Sequence, residues 1–283
     1  MISPYVRRLR LAVELRALRT EGGLTHEQLA KKIGQSRAQI SRLENGHVVD
    51  QADVMSILDA LGVEDERWTM ILTIAREAGE RGWWESNRGM GERQALYANL
   101  EAGAETIREY QGTFVPGLLQ TPDFTRARIE ADRQTGSGGF TATKAIEGRL
   151  GRQRMLRRPE GPKYDVILDE LAIRRPSAPP EVLKAQLYHL AATVNVDPNV
   201  TLRVLPVAAE IDGYTVPRSS FSIYTFTDPG DPNVVAVDTV TDDLVLTEQA
   251  LVNRYLEMFN RLRRACLAEE ASLQLLIDTA HGA

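Results

Sequence analysis

The segment 24–46, LTHEQLAKKIGQSRAQISRLENG, constrains the fold more than any other part of the chain, because its helix-start and helix-stop signals follow at short fixed spacings. Gly34 comes directly after an apolar residue, which is where a helix ends. Capping-box pairs, which satisfy free amides at the start of a helix, occur twice: Thr25 with Gln28, and Ser36 with Gln39. The segment therefore predicts two short helices joined by a tight turn at residues 34 and 35.

Each of the two predicted helices has one apolar face and one polar face. The apolar side chains recur at spacings of three and four residues: Leu29, Ala30, Ile33, Ile40 and Leu43. The free face of the second helix offers hydrogen-bonding and cationic groups around one small residue: Ser36, Arg37, Ala38, Gln39, Ser41 and Arg42. Such a face suits the major groove of DNA, so we predict a helix-turn-helix whose second helix reads bases through these six residues. The alternative is that they form only a solvated helix face.

The run LTHEQLA…IGQSRAQISRLENG resembles the phage-repressor-type, or XRE-like, helix-turn-helix of a large group of bacterial transcription regulators. The resemblance implies that Ser36, Arg37, Ala38 and Arg42 face base edges, and that Thr25 and His26 meet phosphate. Many members carry Gln where this chain has His26, so that phosphate contact departs from the usual pattern. We add His47, in the polar loop after the second helix, as a third predicted phosphate contact.

Charge is distributed unevenly along the 283 residues, whose formal net charge is −5. The first fifty residues hold nine Lys and Arg against five Asp and Glu, a net charge of +4, which leaves −9 for the remainder. A basic N-terminal part on an acidic body fits contact with a nucleic acid through the N-terminal part alone.

The rest of the N-terminal region completes an all-α domain. Amphipathic helices are predicted at 4–20, from residue 53 onward and at 64–78, which gives a five-helix DNA-binding domain at 1–78. Residues 79–91 hold four glycines, so we predict that they form the junction between domains. Trp83 and Trp84 lie in this junction, and we expect them to anchor it onto a core rather than to form a stacking platform.

Residues 92–283 are predicted to form an α+β domain for regulation and partner binding. Helices are expected from 92 to about Tyr110, from Pro122, at 143–158, at 179–194, from a cap at Thr247 to Cys266, and near the end of the chain, with a flexible loop at 134–139. Short β-branched or alternating runs predict strands at 164–168, 200–207, 221–226, 233–240 and, as a possible fifth, 244–246. The fold class is thus an N-terminal all-α helix-turn-helix domain followed by an α+β C-terminal domain.

This second half also carries a resemblance. The runs EAGAETIREYQGTFVPGLLQT, GRQRML, LDELAIRR and ALVNRYLEMFNRLRRACL resemble the C-terminal domain of unknown function of WhiJ-like, antitoxin-like actinobacterial regulators. The resemblance implies a transcription regulator that is commonly encoded beside a small partner protein. It implies no known catalytic activity and no agreed ligand.

Several classes of protein are disfavoured by what the chain contains. Cys266 is the only cysteine and the four histidines are scattered, so we expect no disulfide, no metal site and no cofactor. Apolar runs are too short to span a bilayer and no signal peptide is recognisable, which predicts a cytoplasmic protein. An enzyme remains an alternative through two pairs of carboxylates, Asp169-Glu170 and Asp242-Asp243. Because no histidine, phosphate loop or nucleophile elbow accompanies them, we expect a protein that is not an enzyme.

Together these observations predict a sequence-specific DNA-binding transcriptional regulator, a repressor, that binds double-stranded DNA. One helix-turn-helix reads only a few base pairs, so we predict a homodimer held mainly through residues after 79, with Trp83, Trp84 and the helix at 247–267 available for the contact. The alternative is an antitoxin-like interaction protein that neutralises a small partner, its DNA binding being autoregulatory.

Overall fold

The computed structural model describes residues 1–48, 50–87, 90–134, 142–239 and 243–282. The chain divides into two compact units. The first comprises Met1–Ser86 with Thr227–Pro232, and the second comprises Asn87–Phe226 with Asn233–Ala283. The division after residue 86 lies within the segment 79–91 that the sequence predicts as a junction. Residues 135–139 of the predicted flexible loop, and Asp242 of the predicted carboxylate pair, lie outside the described residues.

The first unit is helical, as the sequence predicts. Its elements are α1 Pro4–Glu21, α2 His26–Ile33, α3 Arg37–Leu43, α4 Gln51–Ala60, α5 Asp65–Ala78 and the single turn α6 Trp83–Ser86. Helix α4 begins earlier than the apolar pattern predicts, because the Asp50 side chain accepts a hydrogen bond from the amide of Ala52 at 3.0 Å and so caps it.

One apolar core joins the first five helices. Fully buried side chains of this core include Leu11, Leu15, Leu29, Ile40, Leu43, Ile57, Leu58 and Ile71. Each such side chain stabilises the fold by about 1.5–3 kcal/mol relative to leaving it in water. Trp84 is also buried and packs edge-on against Trp83, with ring centroids 6.0 Å apart. Trp84 therefore lies in the interior, as an anchoring role predicts.

The predicted capping boxes lie at the N-terminal ends of α2 and α3, where the structure shows which of their hydrogen bonds form. At α2, the Thr25 hydroxyl accepts from the amide of Gln28 at 3.2 Å and the Gln28 side chain accepts from the amide of Thr25 at 2.8 Å, so the first box is confirmed. At α3, the Ser36 hydroxyl accepts from the amide of Gln39 at 3.1 Å. The side chain of Gln39 instead donates to Asp53 at 2.7 Å. The second box is therefore only half formed, because the Gln39 side chain is turned toward Asp53 and not back to the amide of Ser36.

The segment Thr227–Pro232 belongs to the first unit through two arginines of α1. Arg7 Nη1 donates to Asp228 at 2.8 Å and to Asp231 at 2.9 Å, and Arg10 Nη1 donates to Asp228 at 2.7 Å. The hydrogen bond from Arg7 is the main cause that lowers the pKa of Asp228 below its ordinary value. The first unit is thus built from two separate stretches of the sequence.

The second unit is a mixed sheet with helices, which confirms the predicted α+β class. Its helices are α7 Glu92–Gly103, α8 Pro122–Gln134, α9 Ala142–Leu156, α10 Glu170–Arg174, α11 Pro180–Val196, α12 Gln249–Ala265 and α13 Glu269–Gly282, and its strands are β1 Ala104–Gln111, β2 Lys163–Asp169, β3 Val200–Leu205, β4 Phe221–Phe226, β5 Val234–Val237 and β6 Leu244–Leu246. The strand order is β3-β2-β1-β4-β5-β6. Strands β3, β2 and β1 are parallel, and β4, β5 and β6 continue the sheet antiparallel. Among the described residues, no helix has both the length and the apolar composition that crossing a membrane requires.

Strand β1 corrects the sequence prediction of a helix through Tyr110. Helix α7 ends at Gly103, and Tyr110 lies in a strand near the middle of the sheet. Ile107 pairs with Tyr164 of β2 on one side and with Tyr224 of β4 on the other. Pairing on both sides supplies backbone hydrogen bonds that no local pattern reveals, so tertiary structure overrides the helical periodicity.

Helix α12 differs from the sequence prediction in its start. Its N-cap is Glu248, without a side-chain capping bond, rather than Thr247. Val252, Phe259 and Leu262 are fully buried against the sheet. The apolar side of α12 is therefore used within its own unit.

Candidate nucleic-acid interface

Helix α3 is oriented by two buried side chains. Ile40 and Leu43 are 1% and 2% exposed and fix one side of the helix in the core of the first unit. The six residues predicted to read bases lie around the rest of the helix and its N-cap. Ser36, Arg37, Ala38 and Arg42 are exposed, whereas Ser41 and Gln39 are half-buried. The structure thus brings the predicted residues onto one face, with Gln39 at its edge next to α4.

The arginines of this face differ from those of α1 in their partners. Within the described part of the chain, the side chains of Arg37 and Arg42 make no ion pair and no hydrogen bond. In α1, by contrast, Arg19 donates to the carboxylate of Glu44 at 2.6 and 2.9 Å, and Arg16 donates to its backbone oxygen at 2.6 Å. The cationic groups of α3 are therefore available to an external anion or base edge, whereas Arg16 and Arg19 of α1 are engaged by Glu44.

Glu44, directly after α3, joins the first three helices. Its side chain is 3% exposed and accepts from Arg19 of α1 and from His26 of α2, the latter at 3.0 Å. Burial alone would raise the pKa of Glu44, but the hydrogen bonds from Arg19 and His26 outweigh it and lower the pKa below its ordinary value. Glu44 therefore stays ionised and holds α3 at a fixed angle to α1 and α2.

The three predicted phosphate contacts lie at the ends of α2 and α3. Thr25 is the exposed N-cap of α2, and His26 is its half-buried first residue. The Nε2 atom of His26 meets Glu44, which leaves Nδ1 for a second partner. His47 is exposed, and its backbone amide donates to the carbonyl oxygen of Arg42 at 3.1 Å. Thr25 and His26 are thus neighbours, while His47 is positioned by the end of α3.

Two residues that the sequence reading did not single out organise this interface: Glu44 and Asp53. The closing SRLENG run contains Glu44, but its partners lie 18 to 28 residues earlier. Asp53 accepts hydrogen bonds from residues 14 and 18 positions before it. Such contacts depend on how helices pack and leave no periodic signal along the chain.

The second unit contains a buried polar cluster around Glu109 of β1. Tyr164 donates its hydroxyl to Glu109 at 2.5 Å, and Gln111 donates its amide at 2.8 Å. Burial raises the pKa of Glu109 to about 7, although both hydrogen bonds oppose the shift. A buried ion pair joins Arg152 of α9 to Glu101 of α7 at 2.5 Å.

The carboxylates considered for an enzyme are engaged in structural contacts. Asp169 accepts from the hydroxyl of Tyr110 at 3.1 Å and caps α10. Glu170 accepts from Arg174 at 2.5 Å and from the amide of Val207 at 2.9 Å. Asp243 lies 2.7 Å from Arg93. The described carboxylates therefore each have a role in holding the fold.

The single cysteine lies at the end of α12. Its Sγ donates to the carbonyl oxygen of Leu262 at 3.1 Å, and burial raises the pKa of Cys266 to about 12. The thiol therefore stays protonated at neutral pH, which makes it a poor nucleophile. Within the described ranges, no group of three or more His, Cys, Asp and Glu side chains is arranged to hold a metal ion.

A short helix with an unpaired cationic face, joined to a preceding helix by a glycine turn on a five-helix core, defines a helix-turn-helix domain of the DNA-binding kind. Residues 10–68 match the Helix-turn-helix domain family HTH_31. Residues 94–278 match a Domain of unknown function (DUF5753), and since this match spans more than half of the chain, the chain belongs to the DUF5753 family. No curated protein and no solved structure matches it.

Proposed function

We propose that the protein is a sequence-specific transcriptional regulator that represses its target genes and has no catalytic activity. The observation that carries this proposal is the contrast between arginines. Arg37 and Arg42 are exposed on α3 without an internal partner, whereas Arg16 and Arg19 are engaged by Glu44.

The chemistry of α3 suits the major groove. A guanidinium presents two parallel N–H groups that match O6 and N7 of guanine, and the N-terminal residues of a recognition helix are those that reach base edges. Arg37 is the first residue of α3, and Ala38 beside it leaves room for a base edge or a thymine methyl group. Thr25, His26 and His47 would hold the flanking phosphates, with the helix oriented by Glu44.

The full-length protein should select a defined sequence from a pool of random duplexes. We expect Arg37→Ala to relax the base preference at one position of that sequence and to weaken specific binding by roughly 1–3 kcal/mol, since a bidentate base contact is lost. Fluorescence anisotropy with the selected and a scrambled duplex measures both effects. Arg126→Ala, which removes an exposed arginine of α8 in the second unit, is the matched control and should leave both affinities unchanged.

Salt dependence provides the second readout of the same experiment. Affinity should fall steeply as salt rises, because cationic side chains displace counterions from phosphates. A flat salt titration would contradict DNA binding. Equal weakening of Arg37→Ala on selected and scrambled duplexes would instead assign Arg37 to phosphate contact.

We also propose that the regulator acts as a homodimer, because one recognition helix reads too few base pairs to single out one site in a genome.

Repression predicts that a reporter gene carrying the selected sequence in its promoter is expressed less when the protein is present. Increased expression would identify an activator instead.

A second candidate function is that of an antitoxin-like interaction protein. The observation that favours it lies between β3 and β4, where the side chains of Val207, Tyr214 and Val216 are 64%, 83% and 72% exposed. Exposed apolar side chains are typical of contact with another protein where they form one contiguous patch. A small protein that copurifies with the chain from its native host at a 1:1 ratio would support this function, and loss of such a partner on Tyr214→Ser would locate the contact.

A further inference from the structure

Asp53, near the start of α4, holds two glutamine side chains at the edge of the α3 face. Its Oδ1 atom accepts from Nε2 of Gln35 at 2.8 Å, and its Oδ2 atom accepts from Nε2 of Gln39 at 2.7 Å. Gln35 belongs to the turn between α2 and α3, and Gln39 to the first turn of α3. A single carboxylate therefore fixes one amide on each side of the N-cap of α3.

The acceptor chemistry of Asp53 determines which way both amides point. An ionised carboxylate can only accept hydrogen bonds, so each glutamine must turn its NH₂ group toward Asp53. Each amide then keeps its carbonyl oxygen and one N–H for other partners. This combination of one acceptor and one donor on a glutamine matches N6 and N7 of adenine in the major groove.

The position of the two amides matches this use. Gln35 is exposed, Gln39 is half-buried, and between them along the chain lie the exposed residues Arg37 and Ala38. Base edges are contacted by the N-terminal part of a recognition helix. A free glutamine side chain has many rotamers, and fixing it beforehand lowers the entropy lost when it contacts a base.

Asp53 also brings a negative charge close to a surface that would bind a polyanion. Such a charge weakens the attraction to any DNA, whatever its sequence.

We propose that Asp53 is a positioning residue for sequence readout: it orients Gln35 and Gln39 so that this edge of α3 selects an A·T pair. The proposal rests on the DNA-binding function proposed above. The carboxylate of Asp53 then has two effects: it lowers the affinity for all DNA, and it raises the discrimination between sequences.

Asp53→Asn tests the proposal with almost no change in shape. The asparagine NH₂ group faces one glutamine NH₂ group, so that glutamine must turn over or lose its bond. We expect the ratio of affinities for the selected and scrambled duplexes to fall roughly 5- to 100-fold, the range for one lost base contact. Affinity for the scrambled duplex should rise, since a negative charge is gone.

Two further variants locate the effect on the DNA. Sequence selection with Gln35→Ala and Gln39→Ala should show lost preference at an A·T pair, and Asp53→Asn should lose preference at the same pair. Glu66→Gln is the matched control, because it removes one exposed negative charge from α5 of the same unit. It should leave the preference at every position unchanged. Thermal melting of each variant checks that the fold is intact.

Two results would overturn the proposal. One is an equal loss of affinity for selected and scrambled duplexes in Asp53→Asn at unchanged melting temperature. The other is that both glutamine variants select the same DNA sequence as the wild-type protein, with base preference kept at every position. If the wild-type protein selects no sequence at all, the proposed function fails as well, and this outcome is recognised before any variant is made.

Discussion

At the scale of single residues, Glu109 is a group whose ionisation depends on folding. It lies in β1, beside β2 and β4 in the sheet, and its only described polar contacts are the hydroxyl of Tyr164 and the amide of Gln111. Burial disfavours the charged form, so the pKa is raised to about 7 in the folded protein. In the unfolded chain a glutamate titrates near ~4.3.

The raised pKa predicts that stability falls as pH rises. Below about pH 4 both states are protonated and Glu109 has no effect, but between about pH 4 and 7 only the unfolded chain releases the proton. The free energy of unfolding should decrease over this range by on the order of 3 kcal/mol and level off above pH 7. Glu109→Gln should remove that decrease.

Urea unfolding at pH 5 and pH 8 measures this effect for the wild type and for Glu109→Gln. The matched control is Glu105→Gln, which removes an exposed glutamate from the same strand and should keep the pH dependence of the wild type. Parallel pH profiles for wild type and Glu109→Gln would show that Glu109 is ionised in the folded protein, contrary to this prediction.

At the scale of elements, two helix ends depend on glycine for the same reason. Gly34 after α2 and Gly62 after α4 both have φ of +68°, a conformation that L side chains rarely adopt. A Cβ atom added at either position would meet nothing within 4 Å. The cost of a side chain there is therefore conformational, without a clash.

Gly34→Ala and Gly62→Ala should consequently destabilise the protein by similar amounts, about 1–2 kcal/mol each. Gly34→Asn should cost less, because asparagine tolerates the left-handed conformation better than alanine does. Chemical denaturation measures all three values. A much larger cost for Gly34→Ala than for Gly62→Ala would show that the turn between α2 and α3 is under additional strain.

Comparison of α2 with β1 shows which elements a sequence can predict. The start of α2 is set by Thr25 and Gln28, whose partners lie three residues away, so the local pattern was sufficient. Strand β1 depends on pairing with residues about 60 and 120 positions later, and the pattern predicted a helix there. Likewise, the exposed face of α3 can be predicted from the periodicity of its apolar residues. The hydrogen bond between Asp53 and Gln39 cannot, because it depends on where α4 packs.

At the scale of the whole molecule, the sequence predicts a homodimer, and the fold limits how it can form. Helix α12 was expected to be available for the contact, but its Phe259 and Leu262 side chains are fully buried against the sheet. Trp84 is 7% exposed. A symmetric contact through these buried side chains would require the units to open, so a dimer must use other side chains.

We expect light scattering of the full-length protein at micromolar concentration to give about twice the mass of the 31.5 kDa chain. Footprinting on the selected DNA should show two half-sites centred about 10 bp or a multiple apart. Two helix-turn-helix domains related by a twofold axis lie on one side of the duplex, one helical turn or a multiple apart. A mass of one chain, both free and on DNA, together with a single protected half-site, would contradict the homodimer.

The first unit is built from two separate stretches of sequence, and this restricts how its gene can be recombined with that of another regulator. Arg7 and Arg10 have side chains that are 9% and 12% exposed, and their partners Asp228 and Asp231 are encoded more than two hundred codons downstream. A gene cut after codon 86 would encode buried guanidinium groups with part of their counter-charge missing, which is costly in a protein interior. One crossover can therefore not transfer the first unit, with its helix-turn-helix, to another regulator. A functional chimera would have to carry both stretches or replace the two arginines.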